Sequence, residues 1–141
     1  MKILLLEDDL ILNEIIEEHL LSQNYEVSAV YTGLEAQDLL YSQKFDLLLL
    51  DVNVPILNGF ELLKELRQKE IYTPAIFLTS LNQVSDIEEG FKSGCDDYIK
   101  KPFELKELDI RINNIKRLFN INPNNLIEIS KNTFLDKKNL L

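Results

Sequence analysis

The chain has 141 residues, 45% of them hydrophobic and 28% charged, which is ordinary for a globular protein and allows one domain with at most a short appendage. A formal net charge of −9 and a pI of about 4.6 argue against direct binding of DNA and suit a site that collects a divalent cation. The single cysteine cannot close an internal disulfide, and no apolar run has the length of a signal peptide core or a bilayer span, so a cytoplasmic protein with no membrane partner is expected.

Ile3 to Leu6 reads as a first strand that ends in three acids, Glu7, Asp8 and Asp9. Leu12, Ile15 and Ile16 then recur at helical spacing, with Glu14, Glu17 and Glu18 left for solvent and Asp9 placed to cap the helix. His19 has no acidic or histidine partner at metal spacing and reads as an ordinary helix-surface residue. Tyr25 to Val30 reads as a second strand, and Thr32-Gly33 opens a helix with Ala36, Leu39 and Leu40 on one face. Phe45 to Leu50 is a third strand, and its four consecutive leucines suit a strand covered on both faces. It stops at Asp51, before a loop marked by Pro55 and Gly59. A helix follows with Phe60, Leu63 and Leu66 inward and Lys64, Glu65 and Arg67 outward. Ala75 to Leu78 forms a fourth strand ending at Thr79-Ser80, and Ser85 to Lys92 a helix with Val84, Ile87 and Phe91 as its apolar line. Asp97 to Ile99 is a short fifth strand closed by Lys100-Lys101-Pro102. Leu105, Leu108, Ile112, Ile115 and Phe119 recur at three- and four-residue steps as a final helix.

Strict alternation of strand and helix demands parallel strands joined by right-handed crossovers. The expected fold is α/β, a doubly wound five-stranded parallel sheet of order 2-1-3-4-5, as in flavodoxin-type and CheY-like proteins. Residues 1–119 form this domain, and the Asn-rich stretch 120–125 reads as a linker. Residues 126–141 read either as the start of a second domain that the chain does not complete or as a tail.

In such a sheet ligands sit beyond the carboxyl ends of the strands, and the strands flanking the switch point are the first and third. The acids after strand 1 and Asp51 after strand 3 meet there. Carboxylates at close range repel, and a divalent cation relieves that repulsion. Mg2+ takes oxygen ligands and commonly uses one or two carboxylates. Asp8 and Asp51 are the expected direct ligands, with Glu7 direct or through water and the backbone carbonyl of Asn53 as a further oxygen. Asp51 is also the candidate nucleophile for a phosphoryl group, forming an acyl phosphate. The remaining work is positioning and charge stabilisation. Thr79 and Lys101, each at a neighbouring strand end, offer a hydroxyl and an ammonium to phosphoryl oxygens. Alone, Thr79 is strand filler and Lys101 a surface lysine; their joint placement favours the functional reading. The sequence leaves the Lys101-Pro102 bond open between cis and trans.

These residues resemble the receiver domain of response regulators of bacterial two-component systems. The resemblance runs from Lys2 to about Phe119 and rests on Leu-Leu-Leu-Glu-Asp-Asp (4–9), Leu-Leu-Leu-Asp-Val-Asn-Val-Pro (48–55) with Gly59, Phe-Leu-Thr-Ser (77–80) and Gly-Cys-Asp-Asp-Tyr-Ile-Lys-Lys-Pro-Phe (94–103). It implies that Asp51 accepts phosphate from a sensor histidine kinase with Mg2+, that Thr79 and Lys101 touch the phosphoryl group, and that Tyr98 is a switch aromatic. It implies no enzyme beyond catalysis of the domain's own phosphorylation and dephosphorylation.

The last helix and its approach look like the OmpR/PhoB-like branch. That likeness implies a homodimer through the fourth helix, fifth strand and fifth helix, with Asp96 and Asp97 facing Arg117 and Arg111 across the interface. Glu107 belongs to a third pair whose lysine is replaced by Ile87; Phe91 lies on the same face. Residues 126–141 resemble the first strands of that branch's winged-helix domain, which implies that DNA is reached only through an effector domain absent from this chain. Ser80 and Cys95 stand where the family usually has alanine. A phosphate-independent interaction domain of the same fold is the alternative. A phosphatase of related topology would want an aspartate where Asn53 stands, and a flavin-binding domain would not tolerate Glu7-Asp8-Asp9 beside a phosphate.

Overall fold

The computed structural model describes residues 1–80 and 84–121, so the expectations for 126–141 and for most of the linker lie outside the described residues. The strands β1 (Lys2–Leu6), β2 (Glu26–Val30), β3 (Leu47–Asp51), β4 (Ala75–Thr79) and β5 (Asp97–Lys100) form one parallel sheet of order β2-β1-β3-β4-β5. The helices α1 (Leu10–Ser22), α2 (Gly33–Ser42), α3 (Gly59–Gln68), α4 (Val84–Lys92) and α5 (Leu105–Phe119) alternate with them. This is the doubly wound arrangement expected from the alternating pattern.

The leucine runs behave as their composition demands. Side chains alternate across a strand, so an uninterrupted apolar strand must be covered on both faces. Leu4, Leu6, Leu48, Leu50 and Phe77 pack with Ala36, Leu40, Leu62, Leu63 and Leu66 on the side of α2 and α3. Ile3, Leu5, Leu47, Leu49, Ile76 and Leu78 pack with Ile16, Leu20, Leu108, Ile112 and Ile115 on the side of α1 and α5. Each such side chain contributes on the order of 2 kcal/mol by leaving water. β3 and β4 are buried along their whole length, whereas the edge strands β2 and β5 are only partly buried.

Helix starts are specified locally. Oδ1 of Asp9 accepts from the N–H groups of Ile11 (3.0 Å) and Leu12 (3.1 Å), capping α1 as expected. Reciprocal capping boxes join Thr32 with Glu35 at α2 and Asn58 with Glu61 at α3. At the other end of α5, Asn120 takes the left-handed conformation with φ 55° and ends the helix.

Several side chains face otherwise than their spacing predicts. The buried line of α1 is Asn13, Ile16 and Leu20, while Ile15 is largely exposed. Phe91 and Phe119 are likewise exposed at the ends of their stripes. Arg67, expected outward, lies back across the end of α3. Its Nε and Nη2 donate to the Gly94 carbonyl (3.1 and 3.0 Å), and Nη1 donates to the Ile71 carbonyl (2.8 Å). His19 is not an ordinary surface residue: its Nε2 lies 2.7 Å from Oδ1 of Asp109, tying α1 to α5 across 90 positions of sequence. Among the described residues no helix is long and apolar enough to cross a membrane.

Candidate functional site

The register of the sheet assembles the site. β1 and β3 pair in parallel with Leu6 opposite Leu50, so the next residues, Glu7 and Asp51, stand side by side at the carboxyl edge. On the other flank Asp51 pairs with Leu78, which puts Thr79 one step further out. Thr79 pairs in turn with Lys100, and the N–H of Lys101 donates to the Thr79 carbonyl at 2.7 Å. Four strand ends therefore bring two acids, a hydroxyl residue and a lysine to one rim.

Local contacts hold each group. The Asp51 carboxylate is buried, and its Oδ1 accepts from the Asn53 N–H at 3.0 Å. The loop 52–58 folds tightly over the end of β3, with the Gly59 N–H donating to the Val52 carbonyl at 3.1 Å. A Cβ at Gly59 would lie 2.7 Å from the Asp51 carbonyl oxygen, so only glycine lets α3 begin against that strand end. Glu7 is wholly buried, and its Oε2 accepts from the Asp9 N–H at 3.1 Å. The Lys101 ammonium lies 2.6 Å from Glu7 Oε1 and 3.3 Å from Asp51 Oδ2. The Lys101-Pro102 bond is cis.

Burial and like charge act on these groups. Desolvation, opposed by Lys101 and reinforced by Asp51, pushes the Glu7 carboxyl up to about 7. Desolvation and then Asp51 raise Asp8. Burial works against the charge on Lys101, but Glu7 and Asp51 outweigh it and hold the ammonium above its ordinary value.

A carboxylate oxygen from each of Glu7, Asp8 and Asp51 lies within 4.8 Å of the others. Glu7 and Asp51 are buried and Asp8 is exposed, which leaves the cluster open on one side. An all-oxygen donor set with excess negative charge fits a hard divalent cation such as Mg2+. Asn53 is exposed at the same rim, its N–H already committed to Asp51.

The remaining expected residues fall nearby. Thr79 and Tyr98 line one apolar cleft with Phe77, Ile87 and Cys95 between β4, β5 and α4. Tyr98 is half-buried and meets Phe91 edge-on, ring centres 6.2 Å apart. Cys95 is buried, and desolvation pushes its thiol up to about 12. Ser80 is exposed beside Lys101 and Pro102.

Within the single chain, Arg111 Nη1 lies 3.3 Å from Asp97 Oδ2, and Arg111 Nη2 lies 3.6 Å from Glu107. Asp96 faces Arg67 at 3.5 Å and accepts from the Ala75 N–H at 2.9 Å. Arg117 is exposed and donates to Asn114 Oδ1.

Two polar residues near these sites escape a reading by residue type. Arg67 looks like a solvated helix residue, yet it clamps the turn before β5. Asn13 is wholly buried, its amide donating to the carbonyls of Glu7 (2.9 Å) and Val30 (3.1 Å). The available signal for Asn13 is its place on the same i, i+3, i+7 line as Ile16 and Leu20.

Known proteins resemble this chain in sequence and in fold. The family model described as the response regulator receiver domain matches residues 3–113. The transcriptional regulatory protein CrdR of Helicobacter pylori is 46% identical over 134 residues, covering 94% of this chain. The chain spans 60% of that relative's length. The receiver domain of the Francisella response regulator 1452 superposes with a TM-score of 0.79 at 35% identity, covering 84% of this chain and 98% of that one. The receiver domain of sensor histidine kinase PA1611 from Pseudomonas aeruginosa, solved with a magnesium ion coordinated in its active site cleft, gives 0.73 at 35% identity, covering 82% and 94%. With a family model spanning most of its length and a transcriptional regulator among its relatives, this chain belongs to the receiver domain family of two-component response regulators, a regulatory rather than a catalytic enzyme family.

Proposed function

We propose that Asp51 is the phosphoacceptor of this receiver domain and that the strand-end groups around it carry out the transfer. The reading rests on one observation above all. A buried aspartate at the end of the central strand faces a lysine ammonium at 3.3 Å, inside a cluster of three carboxylates. The donor is a phosphohistidine of a sensor histidine kinase. An Asp51 oxygen forms the new bond to phosphorus as the phosphorus–nitrogen bond breaks, and the imidazole nitrogen keeps the electron pair and takes a proton. Lys101 and the Thr79 hydroxyl receive phosphoryl oxygens, which converts their placement into transition-state stabilisation.

Glu7, Asp8 and Asp51, with the Asn53 carbonyl, hold Mg2+, which supplies charge neutralisation for the incoming phosphoryl group. The magnesium in the PA1611 receiver domain supports this ligand class. The domain catalyses its own phosphorylation and dephosphorylation.

The output is transcriptional, as the CrdR relative supports, and reaches DNA through an effector region outside the receiver fold. Tyr98 senses the state of Thr79 through the cleft they share. The α4–β5–α5 face, with Ile87, Phe91, Asp96, Asp97, Glu107, Arg111 and Arg117, makes the homodimer. Arg111 and Asp96 already have partners within the chain, so pairing across the dimer exchanges contacts rather than adding them. Exposed ion pairs are worth only ~0–1 kcal/mol each, and their role here is choice of partner.

Incubation with an acyl phosphate donor and Mg2+ tests the assignment. The parent takes up acid-labile phosphate and Asp51→Asn does not; undiminished uptake in the variant defeats it.

A further inference from the structure

We infer that Asn13 is a positioning residue for the acidic site: its carboxamide fixes the turn from which Glu7 and Asp8 project. The inference rests on the reading of Glu7, Asp8 and Asp51 as cation ligands.

Glu7 and Asp8 lie beyond the end of β1, where the ladder to β3 has stopped at Leu6–Leu50. On the β3 side the sheet therefore no longer holds their backbone. The Glu7 N–H donates to the Val30 carbonyl at 3.2 Å. The Asn13 amide nitrogen donates to that same carbonyl at 3.1 Å and to the Glu7 carbonyl at 2.9 Å. Both backbone polar groups of Glu7 are thus tied, one to β2 and the other to α1. The amide orientation is unambiguous, because the flipped form would set Oδ1 against two carbonyl oxygens.

Stability alone does not single out asparagine here, because the carbonyl bonds its amide makes are set against an acceptor it leaves unpaired. Asn13 is completely buried in the apolar line of α1, one turn before Ile16, and its Oδ1 has no hydrogen-bond partner among the described residues. A buried unsatisfied acceptor is a cost that a leucine of similar shape would avoid. What leucine would lack is the pair of donors. Groups that orient metal ligands without touching the metal typically change affinity by 10–100-fold when removed.

The test is Mg2+ titration calorimetry on the parent, Asn13→Leu, Asn13→Ala, Asp8→Asn and Ile16→Val, each checked for folding by thermal melting. Both Asn13 variants should stay folded and bind Mg2+ roughly 10–100-fold more weakly. Ile16→Val, which loosens the same buried line without touching the amide, should melt lower yet bind within about twofold. Parent-like affinity in both Asn13 variants overturns the inference. So does a loss in Ile16→Val matching theirs, since that marks general loosening of the helix. Asp8→Asn separates the two levels: a loss there with parent-like Asn13 variants overturns the positioning role alone, while parent-like binding in Asp8→Asn removes the cation reading and the inference with it.

Discussion

The ammonium of Lys101 lies 2.6 Å from Oε1 of Glu7, a carboxylate completely buried at the end of β1. The lysine spans the strand ends, neutralising Glu7 on one side and Asp51, at 3.3 Å, on the other. One cation thereby stabilises an acid cluster that would otherwise repel itself.

Lys101→Met removes that counter-charge and leaves buried acids facing one another. The loss should be on the order of 1–3 kcal/mol at pH 8, lessened by the partial exposure of the lysine. At pH 5.5 it should be smaller, because Glu7 takes up a proton instead. Urea unfolding in chelator at the two pH values measures both, and an equal loss at each would count against the ion pair.

Glu7 itself sets a pH dependence. Its carboxyl rises from 4.5 to about 7 on folding, so the native state binds that proton more tightly than the unfolded state does. Its favourable contribution is fully present below the unfolded value of 4.5 and is lost as pH rises through about 7. Chelated protein should therefore melt at lower temperature as pH rises from 5 to 8, and Glu7→Gln should flatten that slope. Mg2+ should raise the melting temperature more at pH 8 than at pH 5.5. A melting temperature that climbs over this range in the parent, unchanged in the Gln variant, would sink the argument.

Arg67 joins α3 to the turn before β5 through two bonds to the Gly94 carbonyl, and a third, to the Ile71 carbonyl, holds the loop that follows its own helix. Arg67→Ala leaves those partly buried carbonyls without their donors and should cost about 2 kcal/mol. Arg67→Lys should recover little, because an ammonium cannot reproduce the planar fork. Full recovery by lysine in denaturant titrations would show that charge, not geometry, matters here.

Cys95 should be inert. Moving its thiol from 9 to about 12 leaves about a thousandfold less thiolate at pH 8, and the side chain is buried besides. Alkylation by iodoacetamide should be slow in native buffer and fast in denaturant. Labelling at comparable rates would mean that the cleft beneath α4 opens freely.

The element order and the sheet were legible in the chain because their signals are local. Four leucines before Asp51 demand cover on both faces, and regular three- and four-residue steps from Leu105 onward specify a helix whatever lies around them. The strand-end residues were legible for a topological reason: in a parallel doubly wound sheet, whatever follows each strand lies on one rim. Glu7, Asp51, Thr79 and Lys101 could be placed there before any coordinate was known.

Other features depend on partners far away in sequence. Asn13 shares the helical line of Ile16 and Leu20, but its bonds to the carbonyls of Glu7 and Val30 exist only because α1 packs against those strand ends. Arg67 turns back because Gly94 and Ile71 offer carbonyls that no helical repeat reveals, and His19 meets Asp109 only once α1 and α5 lie side by side. The raised carboxyl of Glu7 is of the same kind, since its cause is the depth at which packing leaves it. Sequence alone determined which residues stand at the strand ends, because backbone periodicity and crossover handedness act on the chain locally. Tertiary structure decided how deeply each is buried and what it touches, because desolvation and hydrogen bonding are set by neighbours that only the folded sheet and helices bring together.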